Sequence, residues 1–484
     1  MAFWNRTRPI DGDLAETEVG EVHGGDLGSH RLRATLSWPH LLALGVGAIV
    51  GTGIFTLIGI GADKAGPAVM LSFLIVGVVC ACAALAYAEM ATLIPRAGSA
   101  YTYSYAVLGE LIAWIVGWSL ILEYSLVVSA VAVGWSGYFV GFWNSLADSG
   151  TLPALSSQLT QGPHVAGGLI NLPAVLIIAV VAGVLLLGTR ESATINALLV
   201  GVKLVALAVF VFIAAPAFDA ANMTPFMPKG FGQPLQAVGV MGAAAIIFFA
   251  FYGFDAISTA AEETRNPGRD LPIGIVGSMI VCTLIYIAVA ACAVGAVPYT
   301  VFANSPEPLA LILRGLGEEG AARWIAGAAV VAFPTVLLAF LYGQTRIFYG
   351  MARDGLLPGV LARIGRRGVP VLVTVVTAVV VAVIAGFARL DEIAALANAG
   401  TLAAFVAVAV CMLVLRVKEP DRPRVFRAPL AWVIGPVAIL GCLYLFLSLG
   451  DETRKYFFMW NGLGLVVYLL WAARNSRLAK QGAA

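Results

Sequence analysis

From Val371 to Ala388 the chain reads VLVTVVTAVVVAVIAGFA, with no charge and no proline. A run of that length and polarity can cross a bilayer, where each backbone N–H and C=O must be satisfied inside the segment itself. Similar runs recur along most of the 484 residues, of which 60% are hydrophobic and only 12% charged. A soluble domain carries about a quarter charged residues. The expectation is an all-α integral membrane protein. Residues 1–36 are polar and mixed in charge, with no apolar stretch before Trp38, and are read as a cytoplasmic tail without a cleavable signal peptide. The six cysteines all fall in apolar runs without a CxxC pattern, so they read as small packing residues and not as a disulfide framework or a zinc site.

Twelve transmembrane helices are predicted, over residues 37–63, 67–94, 105–141, 171–188, 191–216, 235–263, 271–297, 322–350, 370–388, 391–417, 428–449 and 454–474. The segment 301–320, with Pro306, Pro308 and the Glu318-Glu319 pair, reads as a short surface helix. With both termini in the cytoplasm, the inner side holds 21 of the 29 Lys and Arg residues. The outer side holds seven: Lys64, Lys229, Arg314, Arg323, Arg389, Arg454 and Lys455. Such asymmetry follows the positive-inside rule for a cell-membrane protein. An odd number of spans would place Arg474, Arg477 and Lys480 outside.

Charged residues within spans are costly and default to functional candidates. They are Glu89, Glu123, Lys203 and Asp255, with Glu262 and Glu263 at the inner end of the sixth span. No histidine is among them, which argues against a histidine proton relay. Glu89 reads equally well as a structural partner of Arg96. Lys203 stands some twelve residues into the fifth span, too deep for simple snorkelling. A lysine in a dry site shifts its pKa readily, which suits a proton carrier.

The first span carries GVGAIVGTGIF from Gly45 to Phe55, rich in glycine where a helix interior disfavours it. Gly47 and Gly51 form a small-xxx-small packing pair, and taken alone that is the better reading. A nucleotide loop is excluded by spacing and by the lack of a preceding strand. The sixth span supplies a counterpart, with Phe249, Ala250, Tyr252, Gly253, Phe254 and Asp255 in sequence. Interruptions at matching places of two halves mark a midplane site: freed amides attract a carboxylate and freed carbonyls accept an ammonium. Since spans one and six each begin five helices, the pairing suits a five-plus-five inverted repeat. The expected organisation is a tail (1–36), a first half (37–216), a second half (235–417), a terminal pair (428–474) and a tail (475–484).

GAIVGTGIF, GFDAISTAAEETRNPGRDLP and GQTRIFYGMARDGLLP together resemble the signatures of the amino acid–polyamine–organocation superfamily. The third of these, with GWSLILEY at Gly117–Tyr124, favours its cationic amino acid transporter branch, specifically bacterial members, a resemblance covering roughly residues 35–475. The resemblance implies a LeuT-like fold with broken helices 1 and 6 plus two extra helices, an L-amino acid as substrate, and no sodium. It implies that the amides of Thr52 and Gly53 bind the substrate carboxylate, with Gly51 allowing close approach. The carbonyls of Ile49, Phe249, Ala250 and Tyr252 would receive the ammonium, Phe249 would gate the site, and Lys203 would take the place of a sodium ion and couple transport to the proton.

Asp255 is expected either to read the substrate side chain or to tie the start of the second half-helix. Glu123 is a plausible partner for Asp255 or for a second cation, and Phe333-Pro334 on the eighth span looks unsuited to a guanidinium. The reading leans to neutral or broad-range substrates; the alternatives are arginine or lysine transport, and exchange without proton coupling. No nucleophile–base or metal constellation is read, so an enzyme is not expected, and neither is a nucleic-acid partner. Membrane lipids are expected neighbours, and a small membrane partner is left open. Two cytoplasmic segments carry further expectations. In EETRNPGRDLP, Glu262, Arg265 and Arg269 would gate the inner side with Arg96 or Arg353, or else Asn266-Pro267 stops one helix and Asp270 with Pro272 starts the next. Arg416–Pro429 is a basic linker suited to anionic lipid.

Overall fold

The computed structural model describes residues 6–7, 37–94, 98–147, 150, 153–187, 193–259, 264–363, 365 and 369–481. It is helical over 80% of its residues, with one two-residue strand at Ile170–Asn171 among the described residues. Seven of the described helical stretches are long and apolar enough to cross a membrane, and four shorter apolar helices accompany them. The chain is a multi-pass membrane protein.

The first span is in two pieces. α1 (Trp38–Ile49) carries proline at its start, where the missing N–H is no loss. A π-helical turn over Gly53–Leu57 then leads into α2 (Ile58–Ala65). The chain reverses at Gly66-Pro67 into α3 (Val69–Leu93), whose buried Ala83, Ala84, Ala86 and Ala88 let neighbours approach closely. The predicted third span is likewise divided, into α4 (Ser99–Val107) and the long α5 (Glu110–Ala147). Gly109 adopts φ +102° there, and its N–H donates to Ser104 O at 3.0 Å, a helix stop that a side chain at this φ would strain.

α6 (Leu172–Leu186) is capped by Asn171, whose Oδ1 accepts from Ala174 N at 3.2 Å and from Ser136 Oγ of α5 at 2.6 Å. α7 (Ala193–Ala214) follows. The sixth span is broken into α8 (Gly239–Ile247), a 3₁₀ turn over Phe248–Phe251, and α9 (Phe254–Thr259). α10 (Pro267–Ala296) begins earlier than expected. Asn266-Pro267 starts this helix, because proline at the first helical position is pre-organised, and Pro272 lies inside it. α11 (Pro308–Gly315), expected as a surface helix, is instead largely buried, through Pro308, Leu309, Ala310, Ile312 and Leu313. The remaining elements are α12 (Glu319–Arg353), α13 (Val371–Phe387), α14 (Leu390–Lys418), α15 (Ala431–Leu447) and α16 (Asp451–Val467).

α5 packs against α12 and α14, while α10 packs against α1 and α3. The interrupted first and sixth spans therefore meet uninterrupted helices. Glu89, at the end of α3, receives Arg416 Nε and Nη2 at 2.8 and 2.6 Å and Ala428 N at 2.8 Å, with Arg424 Nε 3.2 Å away. Two arginines of the basic linker are thus turned inward by a buried acid and not toward lipid. Of the expected gate residues, Arg96 and Glu262 lie outside the described residues, as do Glu263 and most of the N-terminal tail.

Candidate functional site

An α-helix bonds each N–H to the carbonyl four residues back, so an interruption frees carbonyls that must be met in another way inside a membrane. α1 closes with Val50 N donating to Val46 O at 2.9 Å, and Val50 itself is extended (φ −74°, ψ 103°). The carbonyl of Gly47, which an intact helix would bond to Gly51, instead receives Lys203 Nζ of α7 at 2.8 Å. Lys203 is 1% exposed. The carbonyl of Ile49 lies 2.8 Å from the hydroxyl of Tyr286 on α10, and that hydroxyl is also 2.9 Å from Ala250 O in the sixth span. Its single proton serves one carbonyl at a time or is shared between them. In the sixth span, tightening to a 3₁₀ turn frees Ala245 O and Ile246 O, which receive Asn398 Nδ2 of α14 at 2.6 and 3.0 Å. Tyr252 OH completes this set by donating to Asn398 Oδ1 at 2.5 Å.

The two interruptions also fit into each other. A Cβ on Gly53 would fall within 3.0 Å of the Ala250 backbone, and one on Gly253 within 3.0 Å of the Ala48 backbone. Gly253 in addition has φ +108°, which only glycine adopts without strain. Gly45 and Gly47 serve contact with neighbouring helices, facing Ser278 and Val200 respectively. Gly51 is different: a Cβ there would meet only Val336 of α12, at an ordinary 3.7 Å.

Between the interruptions lies a cavity of about 10 Å³, room for about one water. The first span contributes Ala48, Ile49, Gly51, Thr52 and Gly53, and the sixth contributes Phe249 and Tyr252. Val127 and Val131 of α5 and Val336 and Phe340 of α12 complete the wall, and among the described residues no carboxylate lines it. The hydroxyls of Thr52 and of Thr56, one turn further on, are buried without a hydrogen-bond partner, and both face Gly134 of α5. The first amides of the second half-helix, at Thr52 and Gly53, are those a helix start leaves without intrahelical partners. Of these residues, Thr52 and Gly53 line the cavity, and Thr56 lies behind the wall.

Of the residues singled out in the sequence, Ile49, Gly51, Thr52, Gly53, Phe249 and Tyr252 come together around the cavity, while Ala250 stands behind it against Gly53 and Tyr286. Asp255 does not reach the wall; it sits in the first turn of α9, where the helix dipole favours an acid. Glu123 lies one turn from Val127 on the same face of α5, 4% exposed, and its Oε2 has no hydrogen-bond partner. Phe333 is also set back, in an aromatic group with Phe55 and Tyr138 at centroid distances of 5.5 and 6.0 Å. Tyr138 OH donates to Phe55 O at 2.6 Å, bracing the π-helical turn. Tyr286, Asn398 and Tyr138 were not anticipated. Each is an uncharged polar side chain within an apolar span, a signal that a search for charges passes over.

A family model described as amino acid permease matches residues 36–469. The chain is 45% identical to the branched-chain amino acid permease BcaP of Bacillus subtilis (strain 168), over 93% of this chain and 96% of that protein. It is 40% identical to the methylthioribose transporter of the same organism, over 93% and 96%. With the vacuolar cationic amino acid transporter 4 of Arabidopsis thaliana it shares 37% identity over 81% of this chain and 65% of the relative.

Proposed function

The chain belongs to the amino acid permease family, and from that premise we propose that it is a proton-coupled, secondary active transporter of neutral, apolar L-amino acids. The observation that carries the substrate class is the cavity wall: Val127, Val131, Val336, Phe340 and Phe249 would surround the substrate side chain, with no acid among them. A branched aliphatic side chain gains by burial against such a wall, whereas an ammonium or guanidinium would be left unpaired there. The similarity to a branched-chain permease agrees with this choice.

In this reading the substrate carboxylate meets the amides of Thr52 and Gly53 and the Thr52 hydroxyl. The ammonium is accepted by carbonyls at Ile49, Phe249, Ala250 and Tyr252. Phe249 covers the substrate, and Gly51 keeps the backbone open toward it. Lys203 carries the coupling proton, with neither sodium nor another metal. Its bond to Gly47 O ties it to the inner half of the first span, and losing the proton would weaken that tie from a charge-assisted to a neutral hydrogen bond. The chain crosses the membrane twelve times in two five-helix halves (37–216 and 235–417) and a terminal pair (428–474), both ends cytoplasmic. The reciprocal seating of Gly53 and Gly253 supports the two-half arrangement.

A second reading, transport of arginine or lysine, is favoured by one observation: the buried, unpartnered Oε2 of Glu123 one turn from Val127. Thermal-shift binding by the purified protein separates the two. Stabilisation by leucine, isoleucine and valine but not by arginine or lysine is expected, and the reverse order would overturn the neutral assignment.

A further inference from the structure

A second cavity, of about 480 Å³, lies outside the proposed transport site, where α12 meets α5 and α7. Its wall is Phe142 of α5, Val202 of α7, and Arg323, Trp324, Gly327, Ala328 and Val331 of α12. Among the described residues, Arg323 is the one charged residue in that wall. Its Nε is buried, and among the described residues it has no hydrogen-bond partner. A buried guanidinium N–H without an acceptor is costly, and the planar fork of arginine suits phosphate oxygens in particular.

The rest of the wall is apolar, and its outer edge faces the bilayer: Trp324 is 42% exposed and Val331 59%. From Arg323 to Val331 the crevice follows α12 for about 12 Å at 1.5 Å per residue. A cation at one end of an apolar slot that opens sideways into lipid matches a molecule with an anionic head and a hydrocarbon chain. Basic pockets between membrane helices bind acidic headgroups by this chemistry. Trp324, beside the arginine, is the residue type that settles at the headgroup level. The geometry points to a site for an anionic phospholipid, its headgroup phosphate on Arg323 and one acyl chain along Gly327, Ala328 and Val331. Because Val202 on α7 is the immediate neighbour of Lys203, an occupied site would also press on the helix that carries the lysine.

The test is native mass spectrometry of the delipidated protein with phosphatidylglycerol, phosphatidylcholine or inorganic phosphate added in turn. Phosphatidylglycerol should be retained over phosphatidylcholine by about fivefold, the worth of one basic residue at a lipid surface. Arg323→Gln should abolish that preference, and Val331→Trp should lower retention of both lipids by filling the open side. Arg389→Gln, which removes an exposed arginine paired with Asp391 elsewhere on the surface, should keep the preference and shows that the effect is not one of net charge. Equal retention of the two lipids by the unaltered protein, or an undiminished preference in Arg323→Gln, would overturn the proposal. Inorganic phosphate binding as tightly as the lipid would overturn the acyl-chain half of it.

Discussion

Tyr286→Phe removes one oxygen and leaves everything else in place: the ring still packs on Phe251 and Phe73, at centroid distances of 5.3 and 5.6 Å. What is lost is the donor within 3 Å of both Ile49 O and Ala250 O. Leaving buried acceptors without a donor costs about 1–3 kcal/mol, so the ligand-free variant should unfold a few degrees lower in a thermal-shift assay. If those carbonyls also receive the substrate ammonium, the penalty falls on the empty site more than on the loaded one. Leucine should then bind the variant more tightly, by about fivefold for roughly 1 kcal/mol of relief. Tyr138→Phe is the matched control, since its hydroxyl braces Phe55 O outside the cavity. It should lower the midpoint comparably while leaving leucine affinity alone. Isothermal titration of both variants decides the matter. If Tyr286→Phe is destabilised but binds leucine no better than the unaltered protein, the two carbonyls hold the fold and do not serve the substrate.

Three further outcomes are expected. Lys203→Met should abolish leucine accumulation driven by a pH gradient in proteoliposomes while preserving leucine counterflow, and unchanged proton dependence would exclude the lysine as carrier. Burial pushes the Glu307 carboxyl up to about 7, outweighing the Arg314 guanidinium beside it; Tyr138 of α5 also faces it. A carboxyl raised in the folded state stabilises it most below its free value of 4.5 and loses that contribution as pH rises through about 7. The thermal midpoint should therefore fall between pH 5 and 8, and Glu307→Gln should flatten that dependence. Arg416→Met leaves Glu89 buried with a weaker partner, which costs about 3–5 kcal/mol; expression and midpoint should drop, with leucine affinity unchanged in the protein that survives.

How much could be read beforehand differed by type of signal. The membrane class and most spans follow from apolar run length, which the bilayer imposes directly. The break in the first span was visible as clustered glycines, and its partner as Gly253 between aromatics. Boundaries set by local backbone geometry were less visible: Gly109 divides the third predicted span, and Pro267 starts a helix where Asn266-Pro267 had suggested a stop. Of the side chains that restrain the breaks, Lys203 stood out as a charge, while Tyr286 and Asn398 were missed. Freed carbonyls leave no mark in their own residues, and their partners Tyr286 and Asn398 lie 36 and 153 residues away from the carbonyls they meet in the sixth span. Conversely, Asp255 and Glu123 stood out as charges, yet neither lines the cavity.

The partners of the freed groups are unevenly distributed, and that unevenness predicts which part of an amino acid matters most. At the interruptions, Gly47 O, Ala245 O and Ile246 O already have donors in Lys203 and Asn398, and Ile49 O and Ala250 O share the one proton of Tyr286. The hydroxyls of Thr52 and Thr56 have no partner, and the helix start beside them presents amides and the positive end of a dipole. The protein thus supplies its own donors for the acceptors and leaves its donors for the ligand. Loss of the substrate carboxylate should hurt more than loss of its ammonium. Leucinamide should bind at least tenfold more weakly than leucine, because a neutral amide forfeits the charge-assisted bonds, worth about 1.5–3 kcal/mol. The deaminated analogue 4-methylpentanoate should retain the larger share of affinity, since the carbonyls it leaves unmet still have Tyr286. In Tyr286→Phe that advantage should shrink, because the ammonium then becomes the only donor for Ile49 O and Ala250 O. Leucinamide competing better than 4-methylpentanoate against labelled leucine would place the ligand's anchor on the acceptors and refute the assignment of the carboxylate to Thr52 and Gly53.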